Sequence, residues 1–353
     1  MTRINKVFGN WVSGPVSFVA SQDLNPLTPY LKVATSTIKP TPSQMSSYTL
    51  DASYGKQSVP VMKVNKDEKT GVHTVLDMTV QIVLRGDVNK SWLSGDNSQI
   101  VPTETQKNTC YANAVLNEFD CGEDYATFLG KDLLTRHTHL ASATIDVDEA
   151  RWDRVTDHNG NHNHAFTSPH SPVVTTCHVI VKRDARARDG FSVTVSSGIK
   201  ALRLLKTTQS GFDGFIVDKY TNLQPTSPSS TRMFSTEMTA QWTYSKKPSG
   251  GYKAAKIDVS KILVAKFAGP APGGLFSKSL QETVYNMGTA ALDKYSSIDN
   301  VHLITPNIHF YRWDAEQFGM TNPNVVFQST KPDSTASGRI VTSITRGNAR
   351  SRL

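Results

Sequence analysis

The stretch IKALRLLKTTQSGFDGFIVDKYTNLQPTSPSSTR, residues 199–232, decides how this chain is interpreted. It places Phe212 in a glycine-flanked loop and Arg232 where the next strand is expected to begin. An aromatic ring offers a flat stacking face, and a guanidinium group binds two acceptors in one plane. The pair therefore predicts a site for a planar anion with hydrogen-bonding edges.

Length and composition are typical of a soluble globular protein. The chain has 353 residues, 38% hydrophobic and 19% charged, which is enough for two domains with cores of their own. Its apolar runs fall short of the roughly 20 residues that a membrane span needs, so we expect no membrane partner. Its three cysteines, Cys110, Cys121 and Cys177, lack CxxC spacing. They argue against a disulfide framework or a zinc site and favour a reducing compartment.

The net charge of +8 and the pI near 9.2 raise nucleic acid as a partner, because Lys and Arg neutralise phosphates. The basic residues are dispersed, however, and the densest cluster, residues 182–189, is interrupted by acids and is interpreted as a solvated loop. A nucleic-acid-binding protein would need an exposed basic stripe with aromatic residues. We therefore expect no nucleic acid partner, and a basic surface would instead steer a small anion towards its pocket.

Residues 1–48 differ from the rest of the chain. They are rich in Ser, Thr and Pro, contain one acidic residue, Asp23, and show no sustained hydrophobic period. Such a segment lacks the apolar residues for a packed core, so we predict a disordered extension.

The pattern of the remaining chain predicts two units with the same order of elements, β-β-α-α-β-β. This order predicts an α+β fold. The first unit, residues 49–187, has predicted strands at 59–62, 72–84, 140–155 and 173–181 and predicted helices at 108–118 and 124–136. The second unit, residues 188–348, has predicted strands at 191–206 and 232–244, helices at 259–267 and 278–295, and a closing hairpin of 301–304 with 309–313. Residues 349–353 form a tail.

Four further segments accompany the opening stretch in chain order. They are YGK (54–56), VPTETQKNT (101–109), LQ (280–281) and TPNIHF (305–310). Taken singly, their polar residues have ordinary explanations: Lys56 as a surface lysine, Thr103 as a helix N-cap, Gln281 as a polar residue at a helix start, and His309 as a partly buried histidine. Their combination and order are harder to explain in that way.

Together, these segments resemble the urate oxidase (uricase) family. That family carries LK(S/T)T-x-S-x-F-x-GF-x-x-D-x-Y-T-x-L followed by a strand that opens with arginine, V-x-T-D-x-x-K-N-T, V-Q, and L-P-N-x-H-x-F/Y. The resemblance implies the tunnelling fold, in which tandem units form antiparallel sheets that close into a barrel in a homotetramer. This sequence departs from the family pattern at Glu104, where Asp is usual, and at Leu280, where Val is usual.

The resemblance also implies roles for individual residues. The proton relay would comprise Lys56, Thr103 and His309, because hydroxyl and imidazole groups both donate and accept; a lysine acts as a base only if its pKa falls towards neutrality. The substrate-binding residues would be Thr103, Glu104, Phe212, Arg232, Leu280, Gln281 and Asn307, with Asn307 also seating dioxygen. Arg203 is the alternative to Arg232.

The histidine-rich turn DHNGNHNHAFTSPH, which contains His158, His162, His164 and His170, suggests a metal site. It lacks cysteine and a fixed helical spacing, and the resemblance implies that no metal or other cofactor is needed, so we expect none.

The implied activity is cofactor-free oxidation of urate by O2 and H2O to 5-hydroxyisourate and H2O2, with Lys56 and Thr103 supplied by a neighbouring subunit. The alternative is a catalytically impaired protein of the same fold that binds a purine or pterin. The chain ends in Ser351, Arg352 and Leu353, which resemble the SKL peroxisomal targeting signal. This predicts an import receptor as partner and the peroxisome as location.

Overall fold

The computed structural model describes residues 48–169, 173–223, 226, 232–323, 325–330 and 336–347. Residues 1–47 of the predicted N-terminal extension and the C-terminal SRL targeting signal, residues 351–353, lie outside the described residues. The elements in chain order are β1 (Tyr54–Lys66), β2 (His73–Gly86), α1 (Lys90–Ser94), α2 (Thr103–Leu116), α3 (Gly122–Arg136), β3 (Leu140–Ala150), β4 (Asp153–Asp157), β5 (Gly160–Thr167), β6 (Val174–Arg183), β7 (Phe191–Lys206), β8 (Phe234–Tyr244), α4 (Gly251–Ala268), α5 (Leu280–Lys294), β9 (Ile298–Ile308), β10 (Phe310–Arg312), β11 (Phe327–Ser329) and β12 (Arg339–Thr345).

One antiparallel sheet of eight strands, in the order β1-β2-β3-β6-β7-β8-β9-β12, carries the fold. Buried and more exposed side chains alternate along its strands; in β2, for example, Met78, Val80, Ile82 and Leu84 are buried. This period of two places one face of the sheet in the core. Helices cover that face, with α3 packed on β3 and β6 and α5 packed on β9 and β12. The predicted α+β class is confirmed.

The two predicted units, of which the first contains β1 to β6 and the second β7 to β12, end in the same way. At the end of β6, the guanidinium group of Arg183 donates hydrogen bonds to main-chain oxygens at the turn after α3, those of Leu134, His137 and Leu140. Just after β12, Arg346 donates to the equivalent oxygens after α5, those of Leu292, Tyr295 and Ile298. In each case, an arginine thus satisfies carbonyl groups at the end of a helix, which lack partners within the helix, and at the start of the strand that follows.

A buried ionic cluster joins elements of both units. Lys256 on α4 lies 3.2 Å from the carboxylate of Glu123 on α3 and 3.2 Å from that of Glu149 on β3. Ser197 on β7 donates a hydrogen bond of 2.6 Å to the second oxygen of Glu123. Glu123 is fully buried and Lys256 nearly so. The cluster therefore fixes α3 and α4 against the centre of the sheet.

The predicted closing hairpin is wrong. Strand β9 extends to Ile308 and pairs with β12, more than 30 residues further along the chain. Residues 310–312, predicted to pair with β9, instead pair with β11 in a separate two-stranded sheet. Two helices also begin earlier than predicted, α2 at Thr103 and α4 at Gly251. As a consequence, His309 lies in the link between the large sheet and the small one.

None of the helices in the described residues is long and apolar enough to cross a membrane.

Candidate functional site

A cavity of about 270 Å³ opens where the second unit brings together the loop after β7, the start of α5 and the end of β9. Six of the predicted site residues line it: Phe212, Arg232, Leu280, Gln281, Asn307 and His309. Its lining also includes five residues that were not predicted: Leu223, Met233, Phe310, Tyr311 and Ile340. Residues from four separate parts of the chain thus converge on one space.

The ring of Phe212 is held by its main chain and by a second aromatic ring. The N–H of Phe212 donates to two oxygens of Thr226, the main-chain oxygen at 3.2 Å and Oγ1 at 2.8 Å. The N–H of Thr226 donates to the main-chain oxygen of Phe212 at 3.0 Å. Phe215 stacks on the Phe212 ring with centroids 5.2 Å apart. A Cβ atom at Gly211 would lie 2.6 Å from the oxygen of Thr226, so a glycine is required for this close approach.

Arg232 lies two residues before β8, with its guanidinium carbon 5.6 Å from the centroid of the Phe212 ring. Its main chain is anchored to Ser210: the Arg232 N–H donates to the Ser210 oxygen at 3.1 Å, and the Ser210 hydroxyl donates to the Arg232 oxygen at 2.7 Å. Burial lowers the pKa of Arg232, but a guanidinium group stays charged in proteins. The cavity therefore holds a half-buried cation beside an aromatic face.

Leu280 and Gln281 are the first two residues of α5. The N-cap residue Ser279 accepts a hydrogen bond of 3.1 Å from the N–H of Glu282, which fixes the first turn. Main-chain N–H groups at a helix N-terminus lack partners within the helix and attract anions. Leu280 is buried, whereas Gln281 is exposed. The cavity thus receives a helix N-terminus as well as a guanidinium group.

Asn307 lies near the end of β9, and His309 follows directly after that strand. The N–H of Asn307 donates to the oxygen of Gly338 at 2.7 Å, and the N–H of His309 donates to the Thr330 hydroxyl at 2.8 Å. Burial, reinforced by the charge of Arg232, lowers the pKa of His309. A pKa lowered from the ordinary value of about 6.5 favours the neutral form of the His309 imidazole at pH 7. A neutral imidazole has one donor and one acceptor, as a proton relay requires.

The other three predicted site residues lie in the first unit and do not line this cavity. Lys56 is on β1, and the hydroxyl of Tyr54 on the same strand accepts a hydrogen bond of 2.9 Å from the N–H of Val101. This bond ties the start of β1 to the segment that leads into α2. A Cβ atom at Gly55 would lie 1.7 Å from the oxygen of Ile82 on β2, so only glycine permits this approach beside Lys56.

Thr103 and Glu104 form the start of α2. The N-cap is Pro102, and Thr103 is already the first helical residue, so interpreting Thr103 as the N-cap is wrong. The carboxylate of Glu104 lies 2.7 Å from the ammonium group of Lys107. The pKa of Glu104 is lowered by its hydrogen bond to Lys107 and, to a smaller extent, by the charge of Lys56. The hydrogen bond between Val101 and Tyr54 holds the start of β1, which contains Lys56, beside the segment that leads into α2.

Two other sequence-derived candidates lie elsewhere. Arg203, the alternative to Arg232, is on β7, is mostly exposed and forms an ion pair with Glu237. The histidine-rich segment forms the β4–β5 hairpin, in which Nδ1 of His162 accepts hydrogen bonds from the N–H groups of His164 and Ala165. The ring of His162 thus stabilises this hairpin; His170 lies outside the described residues.

Comparisons of the sequence agree on one family. The uricase family model matches residues 52–176 and 195–340. The chain is 36% identical over 273 residues to a uricase of Arabidopsis thaliana, covering 74% of this chain and 84% of that protein. It is 34% identical over 309 residues to a uricase of Dictyostelium discoideum, covering 85% of this chain and 98% of that protein.

A comparison of structures gives the same result. The crystal structure of uricase from Arthrobacter globiformis matches with a TM-score of 0.75 and 32% sequence identity, covering 86% of this chain and 97% of that one. The family model spans most of the chain, including the segments that build the cavity, and both relatives cover about three quarters or more of it. The chain belongs to the uricase family.

Proposed function

We propose that this protein is a urate oxidase that converts urate, O2 and H2O to 5-hydroxyisourate and H2O2, and that the cavity beside α5 holds the purine ring. The observation that carries this proposal is the convergence of Arg232, the ring of Phe212 and the N-terminus of α5 on one space. The family named in the comparisons supports it independently.

The groups around the cavity match the chemistry of urate. The guanidinium group and the helix N-terminus both favour a negative charge, and the first can bind two acceptors in one plane. The Phe212 ring offers a face on which a flat purine stacks. The amide of Gln281 supplies a donor and an acceptor for the ring edge. A planar, anionic and hydrogen-bonding ring therefore satisfies all four groups at once.

Catalysis would depend on positioning and on proton transfer. The urate anion is electron-rich and can give electrons to oxygen directly, so we propose that no metal or organic cofactor takes part. Lys56, Thr103 and the neutral imidazole of His309 would move protons between urate and water, and the amide of Asn307 would seat dioxygen or water above the ring. The protein thus contributes an ordered, partly desolvated site.

We propose that the active site is completed by a second copy of the chain within a homotetramer. Lys56, Thr103 and Glu104 do not line the cavity of their own chain, and in this proposal another copy would bring them to it. The two edge strands of the sheet, β1 and β12, each pair on one side only among the described residues. Open edges are available for pairing with another chain, which would extend the sheets into the predicted barrel.

The decisive experiment is oxygen uptake by purified protein supplied with urate, after dialysis against EDTA and without added cofactor. We expect uptake of one O2 per urate, with an equal amount of H2O2. Xanthine, which has the 2,6-dioxo edge of urate but lacks the carbonyl at C8, is the matched control and should bind without being consumed. Binding of xanthine without oxygen uptake from urate would refute the oxidase and support the impaired binding protein.

We also propose a peroxisomal location, from the sequence Ser351-Arg352-Leu353 alone. A peroxisome suits an enzyme that releases H2O2. Deleting these three residues should leave a fluorescently tagged protein in the cytosol, with the tag placed at the N-terminus so that the C-terminus stays free. If the truncated protein still enters peroxisomes, the SRL sequence is not its targeting signal.

A further inference from the structure

Lys206, the last residue of β7, is half-buried and does not itself line the cavity. Its ammonium group donates hydrogen bonds to the main-chain oxygen of Leu275 at 2.9 Å and to the hydroxyl of Ser277 at 2.8 Å. It also lies 5.4 Å from the centroid of the Phe234 ring and 5.7 Å from that of Phe267. Both acceptors are neutral, and burial lowers the pKa of this lysine. The charged ammonium group of Lys206 thus holds the loop of residues 275–277.

The loop that Lys206 holds leads directly into α5. Ser277 lies two residues before the N-cap Ser279. Its N–H donates to the oxygen of Gln209 at 2.9 Å, and its oxygen accepts from the N–H of Gly211 at 2.9 Å. Residues 209–211 and Ser277 therefore run side by side as a short parallel bridge. The position of the α5 N-terminus relative to the loop after β7 depends on this contact.

Residues 209–211 also position Arg232 and Phe212. We call these two residues, together with the N-terminus of α5, the clamp. Ser210, which is fully buried, exchanges two hydrogen bonds with the main chain of Arg232. Gly211 is followed directly by Phe212. Residues 209–212 thus connect the aromatic ring, the guanidinium group and the helix N-terminus. Lys206 secures this segment to the loop before α5 through Ser277.

We propose that Lys206 is a positioning residue for purine binding: its ammonium group holds the 275–277 loop against the end of β7 and so sets the distance between the α5 N-terminus, Arg232 and Phe212. This inference rests on the proposed function. It assigns Lys206 no contact with the substrate and no part in proton transfer. Its loss should therefore weaken ring binding while the relay residues Lys56, Thr103 and His309 keep their chemistry.

The test compares Lys206→Met, Lys206→Arg and the control Lys266→Met, which changes an exposed lysine on the neighbouring α4. We expect Lys206→Met to raise the Kd for xanthine and the KM for urate about tenfold, since small displacements of a clamp are costly. The kcat should change less than about threefold, because the relay is intact. Lys206→Arg should restore most of the affinity, and Lys266→Met should match the wild type.

A second variant keeps the proposal testable if Lys206→Met folds poorly. Ser277→Ala removes one acceptor of the ammonium group and leaves the main chain in place. It should also weaken xanthine binding, and the double variant should bind no more weakly than Lys206→Met, since both changes break one contact. Unchanged xanthine binding in folded Lys206→Met and Ser277→Ala, with binding by the wild type, would overturn the role of Lys206. A wild type that neither takes up oxygen with urate nor binds xanthine would overturn the proposed function itself.

Discussion

The guanidinium carbon of Arg232 lies 5.6 Å from the centroid of the Phe212 ring. Both residues are anchored through their main chains, Arg232 to Ser210 and Phe212 to Thr226. The cation and the ring face are therefore oriented before a ligand arrives. Preorganisation of this kind lowers the entropy lost on binding. The contact also means that a change in either residue alters the surroundings of the other.

Removing the cation should weaken purine binding. Arg232→Ala takes away a half-buried, bidentate donor, and charged hydrogen bonds of this kind are worth about 1.5–3 kcal/mol. We expect the Kd for xanthine, measured by calorimetry, to rise at least about tenfold. Arg203→Ala, which breaks the exposed ion pair with Glu237, is the matched control and should leave the Kd unchanged. The reverse pattern would move the purine site to Arg203.

The pKa of His309 should report on Arg232. Burial and the charge of Arg232 both lower this pKa below the ordinary value, so the His309 imidazole should titrate below about pH 6.5. Arg232→Gln removes one of the two causes and should raise it. NMR titration of the imidazole signals, assigned with His309→Gln, measures the shift. An unchanged or lower pKa of His309 in Arg232→Gln would contradict the electrostatic link.

His309 also makes a prediction for stability. Its folded-state pKa is lower than the unfolded value of about 6.5, so the unfolded chain binds more protons between the two values. Its contribution to the free energy of unfolding is thus complete above pH 6.5 and is lost as the pH falls. His309→Gln should therefore lose less stability than the wild type between pH 7 and pH 5, as measured by urea unfolding. An equal loss in both proteins would show that another group titrates.

The sequence predicted the cavity residues that stand in the quoted segments better than those outside them. Phe212, Arg232 and Asn307 stand in segments whose residue order is distinctive, so their meeting could be anticipated from the family resemblance. Tyr311 and Ile340 were missed because they lie outside the quoted segments and carry no local signature of their own. Their place depends on how the 309–338 segment and β12 fold back onto the sheet.

The closing strand was missed for a similar physical reason. Residues 309–313 and 339–345 both have short runs that suit a strand, and propensity does not choose between them. The choice depends on long-range pairing with β9, which spans more than 30 residues of chain. By contrast, α3 and β2 were predicted well because their hydrophobic periods are long and regular.

Lys56 should affect turnover much more than binding. If Lys56 belongs to the relay, Lys56→Met removes a proton carrier while Arg232, Phe212 and α5 still hold the ring. General acid–base groups contribute about 10²–10⁴-fold in rate, so we expect kcat for urate to fall at least about 100-fold. The Kd for xanthine should change little. Lys66→Met, at the exposed end of the same strand, is the control; normal turnover in Lys56→Met would exclude Lys56 from the relay.

The buried cluster around Lys256 should be a major contributor to stability. Burial opposes the charge of Lys256, yet the carboxylates of Glu123 and Glu149 outweigh this effect and raise its pKa. Lys256→Met would leave Glu123, which is fully buried, without its cation. Breaking a buried pair in this way costs about 3–5 kcal/mol. The free energy of unfolding, measured in urea at fixed protein concentration, should fall by about this amount.

Two further variants separate the buried charge from other causes of instability. Lys253→Met lies on the same helix but breaks only an exposed contact with Asp120, 3.7 Å long, and should cost less than about 1 kcal/mol. Glu123→Gln added to Lys256→Met removes the uncompensated charge and should recover part of the loss. Because the amide of glutamine still accepts the hydrogen bond from Ser197, packing around residue 123 is kept. If the double variant were as unstable as Lys256→Met alone, lost packing of the lysine side chain, and not the buried carboxylate, would be the cause.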